Sequence, residues 1–348
     1  MSSILKNSHG NFVSFSMVFS GLFSALIFVS ANVGAVEQAP SDWPTNRPAQ
    51  LQQQAVSTAL LAATTTASGR VIAVGDHGVI LLSDDGKKYR QAHSVPTRTM
   101  LTSVTFIDNK TGWAAGHDGV VLKTVDGGEN WSLLRQQYGQ EQPILSIWFA
   151  DANRGLAVGL FGMALSSSDG GVTWSEIKLS SGDAADRHLY RIVTTGTGTV
   201  LIIAEAGTVF RSEDGGKHWD VIDTGEKGSL WSAVTFSDNG VSTVVAVGMR
   251  GHIIRSSDDG KSWQAVSSGT TQSLTDVIQL SDHELVAGGM GGTLLHSEDG
   301  GRHFTLRHSA GDEPITALAK IAGKGAATLI PFSLAGVVSV DGDTKAIQ

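Results

Sequence analysis

One motif recurs seven times along the chain and limits the folds that it can adopt. In its clearest copy, residues 114–131 read AAGHDGVVLKTVDGGENW: a strand end, a Gly-x-x-Gly turn, a second strand and a Thr-x-Asp-Gly-Gly-x-x-Trp corner. The corner aspartates are spaced by 41, 43, 45, 44, 41 and 42 residues, and they are Asp85, Asp126, Asp169, Asp214, Asp258, Asp299 and Asp341. Repeats of about 40–45 residues with short strands are typical of propeller blades. The sequence therefore predicts an all-β fold, a seven-bladed β-propeller of four-stranded antiparallel blades.

Each repeat opens with a segment in which apolar and polar residues alternate. Residues 101–106 (LTSVTF) and 144–149 (ILSIWF) are examples, and residues 60–66 and 70–74 are predicted to be the first and second strands of blade one. Alternation with period two, rich in β-branched and aromatic residues, predicts strands. We expect these opening strands to be the innermost ones, and no helix longer than one turn.

Turn chemistry explains the residues at each corner. Serine and aspartate side chains accept hydrogen bonds from turn N–H groups, and glycines adopt positive φ without steric cost. The aromatic residue that follows is expected to pack between neighbouring sheets; these residues are Trp131, Trp174, Trp219 and Trp263, with Tyr89 and Phe304 at the same place. The corner lacks the alternating carboxylates of a calcium loop, which favours a structural role.

Residues 1–35 have the pattern of a secretory signal peptide. Lys6 precedes an apolar run over residues 13–29, and the small residues Val33, Gly34 and Ala35 precede the expected cleavage point. The alternative is an uncleaved N-terminal anchor, although serines interrupt the run. The chain has no cysteine, which excludes disulfides, thiolate metal sites and a lipid-modified cysteine. We expect a periplasmic or otherwise exported protein.

Net charge and chain length limit the possible partners and the possible domain organisation. The net charge of −8 disfavours nucleic acid or an anionic membrane surface as the main partner. Residues 57–348 are long enough for one closed propeller, which we expect to be monomeric. Residues 36–56 form a polar leader with three of the seven prolines. Because few residues follow Asp341, we expect part of this leader to add a strand to the last blade.

The repeated corner is the Asp-box, or BNR repeat. Residues 101–131, with Leu-x-x-Val-x-Phe followed by Gly-Trp-Ala-Ala-Gly-x-x-Gly and the Asp-box, resemble the photosystem II stability/assembly-factor family of seven-bladed propellers. The resemblance covers about residues 58–343. It implies a lumenal or periplasmic scaffold that binds a membrane-protein partner and catalyses nothing, without implying that photosystem II is the partner. Photosynthetic members contact the client through an arginine-rich surface, whereas the arginines here form no tight cluster: Arg98, Arg135, Arg187, Arg191, Arg250 and Arg255.

Two other classes of function stay open, a glycoside hydrolase and a glycan- or small-molecule-binding module. Sialidases also carry Asp-boxes, but their Phe/Tyr-Arg-Ile-Pro motif is missing here, and Tyr190 with Glu205 is the nearest match to their tyrosine and glutamate. A hydrolase with two carboxylates in one cleft would have to use Asp76, Asp118 or Glu205. These residues lie in matching turns of different blades, where solvated turn residues are the simpler explanation.

The same turns raise the question of a metal site. Asp76-His77 and His117-Asp118 occupy neighbouring blades, and imidazole with carboxylate suits zinc. Blade three has Leu160-Phe161 at this position and supplies no further ligand. We therefore expect neither a metal nor a cofactor.

Apolar residues at several turn tips indicate a binding surface instead. The turns between second and third strands are predicted to share one face with the connections between blades. Exposed apolar clusters mark interaction surfaces, and the predicted partner-binding residues are Leu160, Phe161, Met249, Arg250 and Met290, with Arg135, Tyr138 and Arg187 on the connections. The alternative is that the apolar tips fold inward and plug the axis. We expect a membrane or envelope protein as the partner.

Overall fold

The seven repeats fold into seven antiparallel sheets arranged as the blades of a propeller. The computed structural model describes residues 47–139, 142–308, 311–321 and 327–338. Within these ranges, six blades contain four strands each and blade seven contains three. Strands pair in chain order, so each blade is a meander built from one repeat. The predicted all-β, seven-bladed architecture is confirmed.

The element bounds follow the repeats. The strands of blades one to four are β1 (Leu60–Thr65), β2 (Val71–Gly75), β3 (Ile80–Ser83), β4 (Arg90–Gln91), β5 (Leu101–Phe106), β6 (Gly112–Gly116), β7 (Val121–Thr124), β8 (Ser132–Arg135), β9 (Ile144–Phe149), β10 (Gly155–Gly159), β11 (Ala164–Ser167), β12 (Ser175–Glu176), β13 (Leu189–Thr194), β14 (Val200–Ala204), β15 (Thr208–Ser212) and β16 (Asp220–Asp223). Those of blades five to seven are β17 (Leu230–Asp238), β18 (Val241–Gly248), β19 (Ile253–Ser256), β20 (Gln264–Val266), β21 (Leu274–Gln279), β22 (Leu285–Gly289), β23 (Thr293–Ser297), β24 (Thr305–His308), β25 (Ile315–Ile321), β26 (Thr328–Ser333) and β27 (Gly336–Val337). In the described part of the chain, the helical elements are single 3-10 turns at Ala55–Ser57, Asp76–Gly78, His117–Gly119, Gly182–Ala184, Glu205–Gly207, Met249–Gly251 and Met290–Gly292.

Strand position within a blade explains the burial pattern. The second strands, such as β2 (VIAVG) and β14 (VLIIA), are buried along their whole length because neighbouring blades cover both faces. The fourth strands lie at the rim and are short, and β12 has only two residues, both exposed. Short rim strands offer little edge for unwanted pairing with another sheet.

The first strands line the axis, as predicted. Each one contacts the first strands of both neighbouring blades, which closes a ring from β1 through β25. The second residue of each first strand is bulged out of register with its partner strand. These bulge residues are Leu61, Thr102, Leu145, Tyr190, Trp231, Thr275 and Thr316.

Side chains that follow the bulges bind the backbone of the next blade. In blade two, the Ser103 hydroxyl accepts the N–H of Ile147 at 3.0 Å. At the matching place in blade six, Asp276 is 6% exposed. Its carboxylate accepts the N–H of Leu318 at 2.9 Å and the hydroxyl of Ser232 at 2.7 Å. Asp276 therefore joins three consecutive blades, because Ser232 lies in blade five and Leu318 in blade seven.

Blades seven and one close the ring through bonds between β25 and β1. The Thr316 hydroxyl donates to the carbonyl of Leu60, and the Thr65 hydroxyl donates to the carbonyl of Lys320 at 2.7 Å. The bond from a bulge threonine to the next blade recurs at two other joints, Thr102 to Ile144 and Thr275 to Ile315. The closing joint thus has the same chemistry as joints inside the ring.

The end of the leader lies against blade seven and against the connection between blades one and two. The N–H of Ala49 donates to Val95 at 2.8 Å. The carbonyl of Val56 packs so closely on Gly336 of β27 that a Cβ there would lie 1.9 Å from it. Residues 47–57 form no strand. A strand from residues 36–56 in blade seven stays a prediction, because residues 36–46, like the signal segment 1–35 and Asp341, lie outside the described residues.

The corner of blade three shows how an Asp-box is held. The hydroxyl of Ser167 donates to Asp169 at 2.9 Å and accepts the N–H of Gly171 at 2.9 Å. Asp169 accepts the N–H of Thr173 at 2.9 Å and its hydroxyl at 2.6 Å, and the indole of Trp174 donates to Gly171. Corresponding bonds from the turn to the aspartate recur at Asp85, Asp126, Asp214, Asp258 and Asp299.

The corner aromatics pack against the blade cores. Trp131 is buried in a cluster shared by blades one and two. The others are half-buried and pack against the remaining clusters, and they are Tyr89, Trp174, Trp219, Trp263 and Phe304.

The corner of blade three should make part of the stability dependent on pH. Hydrogen bonds, first from the Thr173 hydroxyl and then from its N–H, lower the pKa of Asp169 to about 2. The unfolded value is about 3.9, so this contribution is complete above about pH 5 and is lost as the pH falls through 2. We expect the stability difference between wild type and D169N to shrink from pH 6 to pH 2.5 in urea unfolding. A difference that stayed constant over this pH range would contradict this linkage.

Candidate functional site

The turns between second and third strands lie at the same end of the molecule as the connections between blades. Phe161 in the tip of blade three bonds His188 in the connection to blade four. A Cβ on Gly162, whose φ is 68°, would lie 1.8 Å from the carbonyl of Ala185 in that connection. Arg250 in the tip of blade five donates its N–H to Ser273 in the connection to blade six. These tips therefore pack closely against the segment that leads to the next blade.

The second residue of six tips has a left-handed backbone. Five are not glycine and have φ between 52° and 56°, and they are His77, Asp118, Phe161, Ala206 and Arg250. Such a conformation costs about 1–2 kcal/mol for a residue with a Cβ, so surrounding contacts must hold it. The N–H of the first tip residue supplies one contact, since Asp76 bonds Ala59 and Met249 bonds Ser229 at 2.9 Å. These tips are therefore rigid positions from which side chains project.

Phe161 projects from its tip into solvent. Its side chain is 57% exposed, the N–H of Phe161 donates to Nδ1 of His188 at 2.9 Å, and the two rings meet edge to face at 4.7 Å. Between the two alternatives for the apolar tips, exposure therefore holds for Phe161. Leu160, Met249 and Met290 are half-buried.

Aromatic residues continue from Phe161 toward blade five. His188 lies 6.3 Å from the Tyr190 ring, and the side chains of Ser229 and Trp231 lie near the Tyr190 hydroxyl. His188, Tyr190 and Trp231 are half-buried. We call Phe161, His188, Tyr190 and Trp231 the Phe161 arc; it spans blades three to five at one end of the axis.

The basic residues predicted for this face differ in their exposure and in their hydrogen bonds. Arg135 donates to the carbonyl of Gly119 and to Gln137, both at 2.5 Å, and burial lowers its pKa. Arg187 is half-buried, and its Nε has no hydrogen-bond partner in the described structure. Arg250 is exposed at the mouth of a shallow cleft of about 660 Å³ that His252 and Glu226 also line. Arg135 thus stabilises its own turn, whereas Arg250 faces solvent.

Tyr138 lies beside this region on the connection from blade two to blade three. Its side chain is 41% exposed.

The polar turn residues pair with side chains close to them. His77 pairs with Asp76 at 2.9 Å, and Asp118 accepts the hydroxyl of Thr99 at 3.3 Å. Burial lowers the pKa of His117, although Asp118 and Asp76 oppose that change. Among residues 47–139, 142–308, 311–321 and 327–338, no three His, Asp or Glu side chains are grouped to hold a metal.

Tyr190 is the nearest match in this chain to the tyrosine nucleophile of a sialidase. Burial, and to a smaller extent the charge of Glu205, raises the pKa of its hydroxyl. A tyrosine that attacks a sugar needs help in losing its proton, so a neighbour has to favour the phenolate. The carboxylate of Glu205 instead accepts the N–H of His188 at 3.3 Å. Tyr190 and Glu205 therefore contribute to the shape of the face.

The described part of the chain contains no helix long and apolar enough to span a membrane. Residues 87–252, a little under half of the chain, match the model of the family described as photosynthesis system II assembly factor YCF48. A search of curated proteins gave no match.

Two solved structures with this architecture are similar over most of the chain. YCF48 bound to D1 peptide aligns with a TM-score of 0.63 and 18% identity, covering 85% of this chain and 96% of that chain. YCF48 from Cyanidioschyzon merolae aligns with a TM-score of 0.63 and 17% identity, covering 83% and 97%. At these identities the alignments show a shared fold. The matching family model supports the resemblance to the photosystem II assembly-factor family that the Asp-box repeat predicted.

Proposed function

We propose that this chain is an exported, non-enzymatic scaffold that binds a membrane or envelope protein and aids its assembly or stability. The observation that carries the proposal is the exposed Phe161 side chain, held on a left-handed tip in edge-to-face contact with His188. Aromatic anchors on an ordered surface commonly supply most of the energy of protein binding. The similar YCF48 structure holds a D1 peptide, which supports a protein partner for this fold.

The absence of an activated nucleophile among the candidate residues supports a non-enzymatic role. The three carboxylates considered for a hydrolase, Asp76, Asp118 and Glu205, bond His77, Thr99 and His188 respectively. Fold alone does not decide function, since propellers carry many activities. Export rests on the signal-like pattern of residues 1–35, and the membrane location of the partner rests on the family resemblance.

Replacing Phe161 with aspartate should disrupt partner capture. We would place a photo-reactive amino acid at position 160 and crosslink the purified protein in a detergent-solubilised envelope fraction. Wild type should capture one main membrane protein, and F161D should capture it at least about tenfold less, since a charge replaces an apolar anchor. The control L306D changes an apolar residue that is 38% exposed on rim strand β24, and it should capture as wild type does.

The possible results distinguish a wrong binding surface from a wrong function. Equal capture by F161D and wild type would exclude the Phe161 arc as the binding surface while leaving a scaffold role. Capture of no specific protein by wild type would contradict the scaffold. Equal loss in F161D and L306D would point to impaired folding and count against a specific role for Phe161.

A further inference from the structure

We infer that His188 is a positioning residue that holds Phe161 in its binding orientation only while its imidazole is neutral. The inference rests on the proposed function, because it concerns the surface through which the partner would bind. Its direct evidence is the 2.9 Å hydrogen bond in which the N–H of Phe161 donates to Nδ1 of His188. The edge-to-face contact of the two rings, 4.7 Å between centroids, places the same histidine beside the exposed side chain.

Protonation removes the acceptor in this contact. A neutral imidazole with its proton on Nε2 offers the lone pair of Nδ1, whereas an imidazolium carries protons on both nitrogens and accepts nothing. The N–H of Phe161 would then face the N–H of His188. Because Phe161 is held at φ 54°, losing a contact that offsets this strained backbone should release the tip. Phe161 would leave the orientation in which its ring meets that of His188.

The charged and titratable groups around His188 come from three elements. Glu205 in the tip of blade four accepts the N–H of His188 at 3.3 Å, and Tyr190 on β13 lies beside its ring. Asp186 and Arg187 precede it in its own connection, with Asp186 exposed and Arg187 half-buried. The tip of blade three, Leu160-Phe161-Gly162, contributes no titratable side chain. Two of these neighbours, Glu205 and Asp186, are acidic, and one, Arg187, is basic.

In other tips, the N–H of the second residue donates to an acceptor that is not a histidine. The N–H of Arg250 donates to the hydroxyl of Ser273 at 3.1 Å, and the N–H of His77 donates to the carboxylate of Asp76 at 2.7 Å. A hydroxyl does not change charge near neutral pH, and a carboxylate stays an acceptor there. Of these three acceptors, the imidazole at Phe161 is therefore the one that stops accepting when it gains a proton.

The amide signal of Phe161 tests the positioning role without any partner. In NMR spectra of the mature protein between about pH 8 and pH 5, this signal should move with a single titration in wild type. It should stay fixed in H188N, because the asparagine side-chain oxygen can accept the N–H and does not titrate in this range. The control H77N, which removes another histidine of the same face, should titrate as wild type does. A Phe161 signal that does not titrate in wild type, or that titrates equally in H188N, would overturn the inference.

Partner binding supplies the second readout. Capture by wild type and H77N should fall by more than about threefold from pH 7.5 to pH 5.5, because a protonated His188 cannot accept the N–H of Phe161. Capture by H188N should change by less than about twofold, while H188A, which lacks an acceptor, should bind weakly at both pH values. A merely structural role would give H188N and wild type the same pH profile, which would reject the inference. A titrating amide without any captured partner would uphold the role of His188 and reject the proposed function.

Discussion

Replacing Trp113 with alanine is expected to lower the free energy of unfolding by about 4 kcal/mol, the usual range for deleting a buried tryptophan. Trp113 lies on β6 and is fully buried. Its ring stacks on Phe149 of blade three with centroids 3.7 Å apart, and its indole donates to the carbonyl of Gly170 at 2.9 Å. Alanine would leave a cavity between blades two and three and an unpaired carbonyl. Urea unfolding followed by circular dichroism measures the loss.

The variant W113F separates the two contributions. Phenylalanine keeps part of the stacking on Phe149 but has no N–H for Gly170, so we expect a loss of about 1–2 kcal/mol. The matching residues of blades one and three, Ile72 and Leu156, are aliphatic, which shows that the blade architecture accepts a smaller side chain here. A loss below about 1 kcal/mol in W113A would therefore mean that the two blades repack around the gap.

Replacing Asp276 with alanine should cost about 3 kcal/mol, the second largest effect that we expect. The change removes the acceptor for the N–H of Leu318 and for the hydroxyl of Ser232, and leaves both donors in a buried region. Each unsatisfied buried donor costs about 1–3 kcal/mol. The measurement is again the free energy of unfolding in urea, at pH 7, where the carboxylate is the acceptor.

Serine is the matched control at position 276, because the chain itself uses serine at this place in blades two and three. There Ser103 and Ser146 accept the N–H groups of Ile147 and Ile192. We expect D276S to recover about half of the loss in D276A by accepting the N–H of Leu318. Equal stability of D276A and wild type would show that the three-blade link through this carboxylate contributes nothing.

Most of the fold could be predicted because it is carried by local patterns. Alternation within one segment predicted the first strands of blades two and three, and the structure has them at Leu101–Phe106 and Ile144–Phe149. The bulges and the bonds between first strands could not be predicted in this way. The bond from Thr102 to Ile144 joins residues 42 positions apart, and no pattern within either segment encodes it.

The candidate site was less accessible from the sequence. Phe161 stood out because large apolar residues are unusual at a turn tip. Tyr190 and Trp231 looked like ordinary strand residues, and His188 lay in a polar connection. Tyr190 and Trp231 could be recognised only by comparing the repeats with one another. The second residue of the first strand is threonine in blades two, six and seven, but it is aromatic in blades four and five. Arg135 shows the opposite case, since only coordinates reveal that its guanidinium turns back onto Gly119.

The threonine joint that closes the ring has a consequence for how such a molecule can arise. Thr316 binds Leu60 by the same bond that joins Thr102 to Ile144. A blade with threonine at this position therefore brings a hydroxyl for the following neighbour, and its first strand residue can offer a carbonyl to the preceding one. When such a unit is copied in tandem, each copy inherits both halves of the joint. The ring can then close when the number of copies is right, and the first and last blades need no separate type of bond between them.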